Sequence, residues 1–266
     1  MCGERIRLGA VDYLNARPLV HGLEQQTDLF ALRFDPPSVC ALLLHEHAID
    51  VGMIPTIEYC RGPEYRVVPG MGIVSEGRVA SVALFAKKAL DQIRTIATDT
   101  SSRTSNALLR ILCRERFGIE PDFTPMAPDA GRMLQACDAA LIIGDPALYL
   151  DPAAAGVEKI DLGEQWTALT GLPFVWAFWA GRPGAVSPEA ACALAEARDR
   201  GVAAAETIAA DYCGAARAAL GHAYLRDNIQ YDVREREEAG LKTYFELAAR
   251  HGLIDGPREP LFYESR

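Results

Sequence analysis

Short apolar runs alternate with helix-patterned segments in this chain, and the alternation restarts half-way along. Residues 6–11 form the first run and pass directly into Asp12-Tyr13-Leu14-Asn15-Ala16-Arg17-Pro18. A second run at 31–34 leads to Pro36-Pro37-Ser38, where Ser38 can cap a helix over 39–46. A third strand is expected at 49–53, and residues 67–74 and 79–86 read as extended. The last of these is apolar and bounded by charge, as in a strand buried on both faces. The pattern begins again at 95–98, which enters a helix through Asp99-Thr100-Ser101-Ser102-Arg103-Thr104-Ser105. Leu108, Ile111, Leu112 and Cys113 give that helix a broad apolar face. A strand at 139–143 ends at Gly144-Asp145-Pro146, and residues 173–180 form another apolar extended run. Ser187-Pro188-Glu189 starts a helix with an N-cap and a first-turn proline. The remainder reads as helical, apart from a short extended piece near 228–233. The last helix, 235–251, carries Leu241, Tyr244, Phe245 and Ala248 at helical spacing and stops at Gly252.

This order of elements predicts an α/β fold. The two long apolar runs flank the middle unit and mark where the chain passes between two lobes. Residues 1–82 with 182–266, including the helical tail, are assigned to one lobe and 83–181 to the other, with a ligand cleft between them. A chain of 266 residues, half of them apolar, can bury such cores. A net charge of -9 without a basic run excludes a nucleic-acid surface, whose affinity comes from clustered Lys and Arg. The alanine-rich tract 190–210 is broken by Glu196, Arg198, Asp199, Arg200 and Glu206, so no membrane span is expected. Seven scattered cysteines, an odd number without a C-x-x-C pair, fit reduced thiols better than a disulfide framework or a zinc site. The first strand starts close to Met1, and Cys2 lacks the preceding apolar segment of an exported lipoprotein. A cytoplasmic protein is the expectation.

Ligands of open α/β sheets sit outside the carboxyl ends of strands, which directs attention to the polar turns. Residues 100–105 combine hydroxyls, Arg103 and helix-start amides, a set that can hold a carboxylate or phosphate. A plain cap made by Thr104 or Ser105 is the alternative. Asn15 suits either a cap or a ligand contact, and as a neutral carboxamide it is no strong base. Gly52 and Pro55 shape a turn that lets backbone approach a ligand, while Glu58 suits the first turn of a helix. Asp145 is either an N-cap before Pro146 or a reacting carboxylate. Trp176 and Trp179 are core or cleft wall. His45 and His47 cannot share a helical face, so they form no metal pair. Phosphate-loop, dinucleotide, nucleophile-elbow and zinc-protease signatures are absent from the sequence.

Five segments in order, 11–19, 49–55, 100–105, 142–145 and 162–174, together resemble the chorismate dehydratases of the futalosine route to menaquinone. The resemblance spans nearly the whole chain. It implies a two-lobed type II periplasmic-binding-protein fold without export, and conversion of chorismate to 3-[(1-carboxyvinyl)oxy]benzoate and water with neither metal nor redox cofactor. It also implies that Asn15 and Ser81 stand at the catalytic centre. Candidates for substrate contact are Tyr13, Arg17, Ser38, Ile54, Pro55, Ser102, Arg103, Thr104, Ser105, Gly144 and Asp145. Two other readings are a small-carboxylate carrier, cytosolic or exported, and the sister enzyme of the same pathway that forms a dihydroxynaphthoate. The sister family carries a histidine after its Ile-Ile pair, where this chain has Gly144.

Overall fold

A computed structural model describes residues 5–264; Cys2 lies outside them. The first stretch of chain runs β1 (Ile6–Ala10), a 3-10 turn (Leu14–Ala16), α1 (Arg17–Val20), β2 (Phe30–Phe34), α2 (Pro37–His45), β3 (Val51–Pro55), α3 (Thr56–Arg61), β4 (Arg66–Val67) and β5 (Met71–Ser75). The second runs β6 (Val82–Ala86), β7 (Thr95–Asp99), α4 (Arg103–Leu112), β8 (Asp122–Met126), α5 (Ala130–Ala136), β9 (Ala139–Ile143), α6 (Gly144–Tyr149), α7 (Pro152–Ala155), β10 (Glu158–Asp161) and α8 (Leu162–Thr170). The chain then adds β11 (Phe174–Gly181), α9 (Pro188–Ala203), α10 (Ala205–Cys213), α11 (Ala218–Asp227), β12 (Gln230–Asp232) and α12 (Glu235–Arg250).

These strands form two sheets. One has the order β12-β5-β11-β3-β1-β2, with β4 beside β11, and the other β10-β6-β9-β7-β8. Parallel pairing joins β1 to β2 and β3, and β7 to β8 and β9, as expected where helices connect consecutive strands. β11 runs antiparallel to β3 and β5 in the first sheet. Its residues, assigned from sequence to the second lobe, therefore belong to the first, and the return crossing precedes residue 174 rather than following 181. The long run 174–181 finds partners on both sides only there.

Burial on both faces is clearest in β6. Leu84 and Ala86 join the main core, while Ala83 and Phe85 pack with Ala97, Met133 and Ile142 on the opposite face. The strand is shorter than the apolar run at 79–86, because Ala80 adopts a left-handed backbone with φ of 62° that no strand accommodates. The run at 67–74 is likewise split, with Gly70 turning at φ 73° between β4 and β5. Ser187 caps α9 by accepting from the amide of Ala190, as its sequence position predicts. Ser38 does not cap α2. The helix starts two residues earlier than expected, at Pro37, and puts Ser38 inside its first turn. No helix among the described residues is long and apolar enough to cross a membrane, and the six described cysteines form no disulfide.

Candidate active site between the sheets

The carboxyl ends of strands from both sheets converge on a narrow cavity of about 70 Å³. Its wall takes Val11, Tyr13 and Asn15 after β1, Pro55 at the end of β3, Ser102, Thr104 and Ser105 after β7, and Ile143 and Gly144 at the end of β9. Val79, Ser81 and Val82 come from the crossover into β6, and Ile73, Trp176 and Ala177 close the floor. Wider depressions occur elsewhere, one of about 780 Å³ beside the start of α9, but they do not gather strand ends. No charged side chain lines the cavity. An anion there would be held by hydroxyls, amides and helix starts.

Ser81 is held by an unusual piece of backbone. The left-handed Ala80 precedes it, at a cost of about 1–2 kcal/mol for a residue with a Cβ. The Asp161 carboxylate offsets this by accepting from the amides of Val79 and Ala80 at 3.0 and 2.6 Å. The same carboxylate caps α8 through the amides of Gly163 and Glu164. Lys159 donates to the carbonyls of Ala80 and Ala147, both at 2.7 Å. Burial lowers the pKa of this lysine, with the nearby Asp161 opposing the shift. The Ser81 carbonyl accepts from the Gly144 amide at 2.7 Å, and its hydroxyl meets that of Tyr224 at 2.7 Å.

Asn15 caps neither the 3-10 turn nor α1, so its side chain is available for other contacts. Its backbone carbonyl accepts from the Tyr231 hydroxyl at 3.0 Å, and its carboxamide lies near Tyr224, opposing the rise in that tyrosine's pKa. Tyr13 lines the cavity, and burial raises its pKa, with the nearby Ser101 opposing the shift. Gly144 takes φ 65° against the Tyr13 ring, and an added Cβ would stand 3.4 Å from Tyr13 Cε1. A larger side chain is disfavoured there by both conformation and space.

The start of α4 has no side-chain cap from Ser102. Thr104, a candidate cap from sequence, instead accepts from the Ile57 amide at 3.2 Å, and its carbonyl accepts from Tyr244 at 3.0 Å. Uncapped amides with buried hydroxyls around them are suited to an anion.

Residues 6–250 match a family described as menaquinone biosynthesis. This chain belongs to that family. A chorismate dehydratase of Thermus thermophilus is 32% identical over 276 residues, covering 96% of this chain and 97% of the relative. One from Campylobacter jejuni is 31% identical over 168 residues, 62% of this chain and 58% of that protein. Among solved structures, an Archaeoglobus fulgidus protein superposes with a TM-score of 0.74 at 20% identity, covering 94% of this chain and 98% of its own. The alkanesulfonate-binding protein of Xanthomonas axonopodis pv. citri, bound to MOPS, gives 0.64 at 17% identity, covering 98% and 97%. The fold is thus two-lobed and periplasmic-binding-protein-like.

Of the residues selected from sequence, the cavity brings together Tyr13, Asn15, Pro55, Ser81, Ser102, Thr104, Ser105 and Gly144. The others lie around it. Arg17 pairs with Asp12 and sits over the rings of Phe34 and Tyr212 at 5.1 and 5.3 Å, in a separate depression with His21. Arg103 is taken by Glu58 at 2.6 Å. That buried carboxylate also contacts His45 and Arg61; burial alone would raise its pKa, but these partners bring it below the usual value. Ile54 is core, and Ser38 is adjacent to the lining residue Pro37. Asp145 occupies the first turn of α6 after the N-cap Ile143, so it is not the cap read from sequence. It accepts from Tyr212 at 2.5 Å, and burial raises its pKa against the effect of that bond. Tyr224, Tyr231 and Asp161 were missed. For Tyr224 the only sequence signal was a tyrosine on an otherwise apolar helix face, which usually means packing; Tyr231 is in a short strand and Asp161 reads as a helix cap.

Proposed function

We propose that this protein is a chorismate dehydratase, a hydro-lyase acting in the cytoplasm on the futalosine route to menaquinone. Family membership and the near full-length relative of that name support the activity. The observation that carries the reading to this cavity is that Asn15 and Ser81 line it together with the uncapped start of α4, with the Ser81 hydroxyl held by Tyr224.

Chorismate has two carboxylates, and one suits the amides and hydroxyls of Ser102, Thr104 and Ser105. The hydrogen on its ether-bearing carbon is acidified through a double bond by the ring carboxylate, so donors around that carboxylate lower the barrier. Neither Asn15 nor Ser81 is a base at neutral pH. Instead they orient the enolpyruvyl group, whose own carboxylate takes the proton. The electron pair left on carbon forms the new ring double bond as hydroxide leaves the adjacent carbon, and the proton and hydroxide depart as water. Aromatisation drives the step, and orientation of this kind contributes several kcal/mol, of order 7 or more in well-aligned cases.

The sister-enzyme reading asks for a histidine at 144, where φ is positive and Tyr13 fills the space. The carrier reading is tested directly. Purified protein incubated with chorismate, with products followed by chromatography and mass detection, should yield a species lighter by one water. Bound but unchanged chorismate would make the protein a carrier, and absence of binding would overturn both readings.

A further inference from the structure

Tyr224 stands on α11, in the helical tail, far in sequence from the turns that form the cavity. Its side chain is buried, its hydroxyl makes contact with the Ser81 hydroxyl at 2.7 Å, and the Asn15 carboxamide is near enough to oppose the rise in its pKa. A phenol has one proton to donate and lone pairs with which to accept. It therefore cannot donate to both partners, and if it donates to one it can only accept from the other. Tyr231 adds a second restraint from the tail by donating to the Asn15 carbonyl. On the other side, the Gly144 amide and the Asp161-braced Ala80 hold the backbone on which Ser81 stands.

We infer that Tyr224 is a positioning residue for the dehydration, fixing the orientation and hydrogen-bond polarity of Ser81 and Asn15. This rests on the proposed dehydratase activity. With Tyr224 donating to Ser81 Oγ, the serine proton is free to point at the departing substrate hydroxyl. Asn15 then donates its amide N–H to Tyr224 and turns its oxygen toward the cavity. Burial raises the tyrosine pKa well above neutrality, ahead of the opposing bonds from Ser81 and Asn15, so the phenol stays neutral and acts by geometry alone.

The test is steady-state kinetics of Tyr224→Phe, Ser81→Ala and the double variant, with wild type assayed in parallel. Tyr224→Phe keeps the buried ring and removes only the hydroxyl. Its kcat should fall about 10- to 100-fold, as for a misplacement of reacting groups, while KM and the shape of the pH profile stay as in wild type. The double variant should lose less than the product of the two single losses, because the tyrosine acts partly through Ser81. A Tyr224→Phe enzyme with wild-type kcat would make the residue packing only and overturn the assignment. So would multiplicative losses, or a Tyr224→Phe protein that melts far below wild type, since the hydroxyl would then serve the fold. Wild-type protein that leaves chorismate unchanged would instead defeat the dehydratase reading on which this rests.

Discussion

Residue 80 is an alanine in a glycine-like conformation, φ 62°, and its neighbours are arranged to keep it there. Asp161 accepts its amide and Lys159 donates to its carbonyl, so the orientation of Ser81 depends on a carboxylate from the neighbouring edge strand β10, where Asp161 pairs with Ala83. Asp161→Asn retains one acceptor oxygen but presents N–H to backbone amides that need an acceptor. The variant should lose about 2 kcal/mol of stability, the scale of hydrogen bonds to a charged group, and should lower kcat more than it raises KM. Denaturant unfolding together with kinetics checks both, and wild-type values in each would show that Ser81 does not depend on this brace. Gly144→Ala should cost about 1–2 kcal/mol for the same kind of backbone reason, read as a fall in melting temperature. Sequence reasoning reached Asn15 and Ser81 through family resemblance and Gly144 through its turn. It could not reach Tyr224 or Asp161, because a buried tyrosine and an acidic helix cap look the same in sequence whether or not they support a reacting group.

At the scale of elements, strands with apolar runs were readable, and the two edge strands of the second sheet, β8 and β10, were not. β8 contains Pro125 and is mostly exposed, and β10, at the rim of its sheet, has charged residues at all positions but Ile160; such strands carry little of the pattern that marks a buried one. The ends of the central strands are secured by a charged brace. Asp50, just before β3, accepts from the backbone and guanidinium of Arg7 on β1 and from Arg182 after β11, the latter at 2.5 Å. The Arg7 side chain is the main reason its pKa falls from 3.8 to about 2. A carboxylate depressed in the folded state contributes stability that is complete above the unfolded value and disappears as pH falls through the folded one. Asp50→Asn should therefore be less stable than wild type at pH 7, by about 1 kcal/mol for a partly exposed pair. The gap should close between the ordinary carboxylate pKa of 3.8 and about 2. Unfolding curves at several pH values test this, and a gap that persists under acid would exclude the carboxylate as its source.

For the molecule as a whole, the cavity is the telling quantity. At about 70 Å³ the cavity is narrow for a ring bearing two carboxylates and a hydroxyl. We predict that the lobes part for a substrate to enter. Bonds across the cleft join Tyr212 to Asp145 and Arg103 to Glu58, at 2.5 and 2.6 Å, and would break and re-form with each cycle. Small-angle scattering should register a fall in radius of gyration when chorismate is added, and Tyr212→Phe should raise KM by weakening closure. Scattering unchanged by the ligand would count against movement of the lobes.

The sequence alone determined the α/β alternation, the two units and the polar turns after β1, β7 and β9, because periodicity and turn chemistry are local properties of the chain. Tertiary structure decided which sheet received β11. It drew Arg17 and Arg103 into ion pairs away from the cavity, and brought Tyr224 from the helical tail to Ser81 and Asn15. Those outcomes depend on competition among distant groups for partners and for buried space, which no local pattern encodes.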